Sequence, residues 1–273
     1  MSHASRLPSS LVLVGAGKMG GSMLEGWLKV GVRPEGVTVL DPKPSDEMTR
    51  FCRERGIALN PASLSAPEVL VLAIKPQTLP VAAPTIAPLV GPETLLVSIV
   101  AGKTIADLRA RVPAARAIVR AMPNLPASVR RGATGAAASP QVSDAQRAAA
   151  QALLAAVGTV EWLDDEALID AVTALSGSGP AYVFHLVECL TEAGAAAGLP
   201  PDVAGRLARA MVIGSGELLA QSGLSAAELR RNVTSPGGTT AAALEVLMGA
   251  NGFQPLLTKA IAAATKRSKE LAK

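Results

Sequence analysis

The run LVLVGAGKMGG at residues 11–21 constrains this chain more than any other stretch. Four consecutive apolar residues make a short buried strand, and glycines follow at 15, 17 and 20. A helical pattern starts at once, with Met23, Leu24, Trp27 and Leu28 on one face. Strand, Gly-rich turn and helix in that order suit a dinucleotide pyrophosphate. Gly15 is expected to make the tight turn, and Gly17 to let backbone N–H groups reach the phosphates. Gly20 is expected to let the helix close on the strand, with Ala16, Lys18 and Met19 completing the turn. The helix N-terminus supplies partial positive charge to the anion. Glycines also serve ordinary strand-to-helix turns, so the motif gains its weight from position.

The chain onward keeps the same alternation. Residues 37–40 form a second strand closed by Asp41, which lies 21 positions beyond Gly20. That is close to the spacing of about 20 expected for a ribose-binding carboxylate. Such a carboxylate repels a 2′-phosphate, whereas Lys43 would attract one, so NADH against NADPH stays open. An acid that only closes a strand before Pro42 is the alternative. A helix over 45–55 leads to a strand near 57–59, ending at Asn60. Further buried strands are expected at 69–74, 95–100 and 117–119, with a helix over 105–111 capped by Thr104. Pro76 ends the strand before it and opens its carboxyl end to the cofactor crevice. Stretches 133–138, 144–157 and 159–163 extend the same domain. The pattern predicts an α/β, Rossmann-type doubly wound parallel sheet over residues 1–164. From residue 165 to 273 only helical windows remain, broken by Gly and Pro, which predicts an all-α second domain.

Composition narrows the function. Apolar residues make up 49% of the 273 and charged ones 18%, which is a folded globular balance. Aromatics are 2%, leaving little to stack on bases, so no nucleic acid is expected as a partner. The first ten residues lack a basic stretch followed by an apolar one, and no apolar run approaches the length a bilayer needs. The chain reads as cytoplasmic, with no membrane partner. Cys52 and Cys189 are far apart and fit no metal spacing, so no metal is expected.

Acids and bases for catalysis are scarce. His3 sits in a start expected to be disordered, and His185 lies in an apolar stretch where helix packing or an interface explains it. Asp164, Asp165 and Glu166 read as a solvated helix N-terminus. The first long helix of the second domain carries Ser176, Gly177, Ser178, Gly179 and Pro180, which suit either close helix approach or a ligand against backbone. The remaining candidate is NVTSPGGTT at 232–240, where Ser-Pro-Gly-Gly before a helix presents consecutive N–H groups as a nest for a carboxylate. A capped turn with no ligand is the alternative.

With these segments together the chain resembles the pyrroline-5-carboxylate reductases. The match runs over essentially the whole length, in GAGKMG (15–20), AIKPQ (73–77), SIVAGKTI (98–105), RAMPNLPASVRRGATG (120–135), ALSGSGPAYVF (174–184) and LRRNVTSPGGTTAAAL (229–244). The resemblance implies reduction of a small-molecule substrate, 1-pyrroline-5-carboxylate, to proline with NADPH or NADH. It places Val233, Ser235, Gly237, Gly238, Thr239 and Thr240 at the substrate, with Thr240 hydrogen-bonding the ring nitrogen as the catalytic residue. It places the cofactor on the Gly-rich turn, on Asn60, on Ala73, Ile74, Lys75 and Pro76, and along Met122 and Asn124. It also implies a homodimer through the C-terminal helices, assembling further into a ring. Asp41 departs from the NADP-preferring members, which carry small or hydroxyl side chains there.

Two rivals stand beside this reading. A β-hydroxyacid dehydrogenase needs a catalytic lysine on the first long helix of the second domain, and residues 171–199 contain none. A non-catalytic nucleotide sensor would show no turnover.

Overall fold

The structure is a computed structural model describing residues 7–271. His3 lies outside the described residues. The chain divides into two compact units, one of residues 7–178 with 264–271 and the other Gly179–Ala263.

In the first unit the strands are β1 (Leu11–Val14), β2 (Val37–Leu40), β3 (Ala58–Leu59), β4 (Val69–Leu72), β5 (Leu95–Ser98), β6 (Ala117–Met122), β7 (Gly132–Ala138) and β8 (Gly158–Trp162). Its helices are α1 (Lys18–Lys29), α2 (Asp46–Arg55), α3 (Leu79–Ile86), α4 (Ile105–Arg111), α5 (Asp144–Ala155) and the short α6 (Ile169–Val172). Among the described residues the sheet has eight strands in the order β3-β2-β1-β4-β5-β6-β7-β8. The order reverses on either side of β1, which pairs in parallel with both β2 and β4. That reversal opens the ligand crevice of a doubly wound sheet at the carboxyl ends of its strands.

Period-two alternation explains why the strands read as continuous apolar runs. Leu11 and Leu13, with Val69, Val71, Leu95 and Val97, join a core with Met23, Leu24, Trp27 and Leu153. Val12 and Val14, with Leu70, Leu72 and Leu96, join a second core with Leu79, Ile86 and Leu108. Both faces are therefore covered, as parallel sheets require. Trp27 also donates its indole N–H to Leu153 O at 2.9 Å, pinning α1 to α5.

Three sequence expectations need correction. First, the sheet is not wholly parallel, because β7 runs antiparallel to β6. The link between them holds only the 3₁₀ turn Leu125–Val129, too short for a crossover helix. Second, the strands expected at 69–74 and 95–100 stop at Leu72 and Ser98, whereas that expected at 117–119 continues to Met122. The extension exists because Arg120, Ala121 and Met122 pair with β7. Third, Ser176 to Pro180 do not interrupt a long helix. Thr173–Gly177 is a π-helical turn, and the next helix begins at Gly179. Pro180 thus sits in a first turn, where its missing N–H has no partner to lose. The last strand ends at Trp162, but α6 and the π turn still pack on the sheet, with Ile169 and Ala174 buried.

The second unit is helical: α7 (Gly179–Ala196), α8 (Pro201–Gln221), α9 (Ala226–Asn232), α10 (Thr239–Leu247) and the start of α11 (Phe253–Leu271). α7 and α8 pack closely because small residues meet. A Cβ on Gly194 would lie 3.2 Å from Ala204 Cβ. Much of this unit's apolar surface is exposed, including Phe184, Met211, Ile213 and Leu218. No helix among the described residues is long and apolar enough to cross a membrane.

Candidate functional site

The Gly-rich turn has the build its sequence implies. Gly15 has φ of +88°, and a Cβ there would stand 2.7 Å from Ala73 O. Its N–H donates to Leu40 O at 2.8 Å, so the turn is tied to the end of β2 as well. A Cβ on Gly20 would stand 2.2 Å from Gly15 O, which no side chain tolerates. Gly17 differs. A Cβ there meets nothing within 4 Å, and Gly17 is the N-cap of α1 with no side-chain cap. The first-turn donors of Lys18, Met19 and Gly20 have no intrahelical acceptor by the geometry of a helix start. An open, uncapped helix N-terminus beside a bare glycine backbone fits a pyrophosphate. Lys18 is exposed, and Met19 is half-buried.

Asp41 is more than the end of a strand. Its Oδ2 accepts the Ala16 N–H at 2.9 Å and its Oδ1 the Lys43 N–H at 2.9 Å. Asn60, at φ of +48°, accepts the Asp41 N–H through Oδ1 at 2.9 Å and donates Nδ2–H to Asp41 O at 2.7 Å. Asp41, Asn60 and Ala16 therefore form one bracket around the turn, with Ala73 and Ile74 packed against Gly15. Lys75 is exposed, and it caps the 3₁₀ turn that begins at Pro76.

Asn124 is buried and its amide is engaged on both sides. Oδ1 accepts the Ala133 N–H at 2.9 Å, while Nδ2 donates to Ser176 O and Ser176 Oγ at 3.1 and 3.2 Å. Met122 packs on the same turn, its Cε 3.0 Å from where a Gly177 Cβ would be. Glu166 corrects the expectation of a solvated helix end. Its Oε1 accepts the Ile105 N–H at 2.8 Å and pairs with the buried Arg120 at 2.9 Å. Only Asp165 caps as expected, accepting the Ala167 N–H at 2.8 Å.

The hydroxyl-rich segment lies in the helical unit. Gly237 has φ of +68°, and the Gly238 N–H donates to Ser235 O at 3.0 Å, closing a turn over Pro236. Gly238 is the N-cap of α10 and brings no side-chain acceptor to the donors that follow. Thr239 and Thr240 open that helix, while Val233, Ser235 and Gly237 are exposed. Among the described residues no group of three or more His, Cys, Asp or Glu side chains is arranged to hold a metal.

Comparison with known proteins decides the family. A family model for pyrroline-5-carboxylate reductase dimerisation matches residues 166–271, and one for coenzyme F420-dependent NADP oxidoreductases matches 10–102. The pyrroline-5-carboxylate reductase of Pseudomonas aeruginosa is 43% identical over 265 residues, covering 96% of each chain. This chain belongs to the pyrroline-5-carboxylate reductase family. It is an NAD(P)-dependent oxidoreductase with a dimerisation domain. The Coxiella burnetii member superposes with a TM-score of 0.90 at 34% identity, over 97% of this chain and 99% of that one. The Plasmodium falciparum member, solved with NADP bound, has a TM-score of 0.78 at 26% identity, over 97% and 98%.

Sequence reasoning for this reductase missed the grip of Asp41 on Ala16, the link of Asn124 to Ser176 and that of Glu166 to Ile105. These partners lie 25, 52 and 61 positions apart, and no local signal joins them. Strand ends brought together by the sheet supply what spacing does not.

Proposed function

We propose that this chain reduces 1-pyrroline-5-carboxylate to L-proline, the last step of proline biosynthesis, with NADH or NADPH. The observation that carries the reading is the turn at 235–238 on the N-terminus of α10, with its positive-φ Gly237 and its glycine cap. Ser235, Gly237, Gly238 and Thr239 form a backbone nest that holds the substrate carboxylate, with Val233 beside it. The Thr240 hydroxyl hydrogen-bonds the ring nitrogen. The cofactor lies on residues 15–20, Asn60, Ala73, Ile74, Lys75 and Pro76, and along Met122 and Asn124. When bound it supplies a hydride from nicotinamide C4 to the imine carbon. A cyclic imine is more basic than a ketone and is partly protonated near neutral pH, so no strong acid is required of the protein. Orientation by these backbone and side-chain groups is the chief contribution, worth up to about 7–11 kcal/mol in favourable cases.

The functional boundary falls after Asp164, with a cofactor domain over 1–164 and a substrate and dimerisation domain over 165–273. Dimers assemble further into a ring. Asp41 sets a negative charge at the ribose end of the cofactor, but both its oxygens already bond backbone N–H groups, which blunts its repulsion of a 2′-phosphate. Both cofactors are therefore used. The test is oxidation of each reduced cofactor on adding pyrroline-5-carboxylate to the purified protein. No turnover with either one overturns the reading and favours a nucleotide sensor. An NADPH preference of about tenfold or more would show that Asp41 does not exclude the phosphate.

A further inference from the structure

The end of β2 is tied to its neighbours by side chains as well as by backbone. Asn60, the first residue past β3, continues the ladder with its own N–H, which donates to Val39 O at 2.9 Å. One step further on, its side chain takes over. The amide closes on both backbone groups of Asp41, accepting the N–H at 2.9 Å and donating to the carbonyl at 2.7 Å. Asn60 holds a φ of +48° there, a conformation that Asn tolerates better than most side chains. Asp41 then directs Oδ2 across to the Ala16 N–H at 2.9 Å, 25 positions back in the chain. Its Oδ1 accepts the Lys43 N–H at 2.9 Å, and the flanking Pro42 and Pro44 have no N–H to offer. Gly15 leaves the extended conformation at φ of +88°, and α1 begins only at Lys18. Neither ladder nor helix therefore fixes the Ala16 peptide. The carboxylate of Asp41 does, while the Ala73 carbonyl packs against Gly15 from the other side.

An acid at this place in a doubly wound sheet is expected to accept a ribose hydroxyl and to repel a 2′-phosphate. A carboxylate has about four lone-pair sites, so that role is the competing account of Asp41. Three separate segments converge on Asp41, however, and a ribose acceptor at a strand end requires no such build. We propose that Asp41 and Asn60 are positioning residues that hold the Gly-rich turn in its binding shape before the cofactor arrives, and that Asp41 does not select between NADH and NADPH. Asn60 acts through Asp41, and Asp41 acts through the Ala16 peptide. The turn serves the pyrophosphate, which both cofactors share. Such positioning works through the fraction of molecules whose turn is competent, and the apparent Kd is the intrinsic one divided by that fraction. The fraction belongs to the free protein, so losing it weakens both cofactors by one factor. A ribose selector behaves differently, because removing its charge weakens NADH and strengthens NADPH. The proposal rests on dinucleotide use alone and not on the reaction proposed above, and cofactor binding is read without turnover.

The test is fluorescence titration of the cofactor-free protein with NADH and with NADPH, beside hydrogen exchange of overlapping peptides across residues 11–21. Asp41→Asn keeps the shape but brings one oxygen instead of two, so one of the two N–H groups meets an NH₂. Both Kd values should rise about tenfold, with their ratio held within about threefold. The Ala16 amide should exchange faster while amides of β5 keep their protection, which separates a loosened turn from a loosened fold. Asn60→Gly removes the clasp yet permits the positive φ, and should weaken both cofactors equally by a smaller factor. Because the two residues act through one contact, the double variant should bind no more weakly than Asp41→Asn alone. In the unmodified protein the Ala16 amide should be protected already, gaining less than about threefold on adding NADH. A Kd ratio that moves further than about threefold towards NADPH in Asp41→Asn overturns the proposal and makes Asp41 a ribose selector. Unchanged affinities in Asp41→Asn, additive losses in the double variant, or a larger gain of Ala16 protection on binding overturn it as well.

Discussion

At Gly20 a Cβ would stand 2.2 Å from a backbone oxygen, so the neighbour cannot yield by turning a side chain. Gly20→Ala is expected to shift α1 away from Gly15, destabilise the fold by about 1–3 kcal/mol and weaken cofactor binding. Urea denaturation and fluorescence titration with reduced cofactor measure the two effects. Thr240 poses a different question, because its backbone serves the helix whatever its side chain does. Thr240→Val preserves the shape and removes the hydroxyl. Turnover should fall several-fold or more with cofactor binding intact, and unchanged steady-state kinetics would remove Thr240 from the mechanism. The roles of Gly15 and Gly20 were legible in the sequence because a turn between strand and helix needs glycine for local reasons. The bracket of Asp41, Asn60 and Ala16 was not, because it forms only where β1, β2 and β3 lie side by side.

Between elements, Glu166 joins three of them: the N-terminus of α4 through the Ile105 N–H, β6 through Arg120, and the turn that leads into α6. Glu166→Ala leaves a buried guanidinium without its partner and should cost about 3–5 kcal/mol, read as a lowered urea midpoint with unchanged slope. The start of α4 also sets an acid response. Thr104 and Asp107 form a reciprocal capping box. Burial alone would raise the Asp107 pKa, but its bonds to Thr104 and the charges of Lys103 and Arg111 outweigh this and leave it lowered. A carboxyl lowered on folding stabilises the fold above its unfolded pKa of about 3.9, and that contribution is lost as pH falls through the folded value. The stability difference between the native chain and Asp107→Asn should therefore shrink as pH drops below about 4, as urea midpoints across that range would show. Element types were legible from periodicity and caps. Strand ends were less so, because β6 runs on to Met122 only where β7 pairs with it.

For the whole molecule, the exposed apolar side chains of α8 and the family match to a dimerisation domain point the same way. Ile213 is 62% exposed in the single chain. Ile213→Asp sets a charge on that apolar face and should shift the assembly towards monomer in sedimentation velocity, while circular dichroism keeps its helical content. An unchanged dimer would place the contact elsewhere on the unit. The sequence by itself determined the doubly wound sheet, the Gly-rich turn and the helical second half, since apolar period, glycine spacing and helix caps act over a few residues. It also carried the family, through motifs spread from Gly15 to Leu244. Only the tertiary structure decided the antiparallel return of β7, the seat of Glu166 on Ile105 and Arg120, and the clasp of Asn124 on Ser176. Those features depend on which strand ends and turns the sheet sets side by side, and their partners are separated by too much chain for any local pattern to record them.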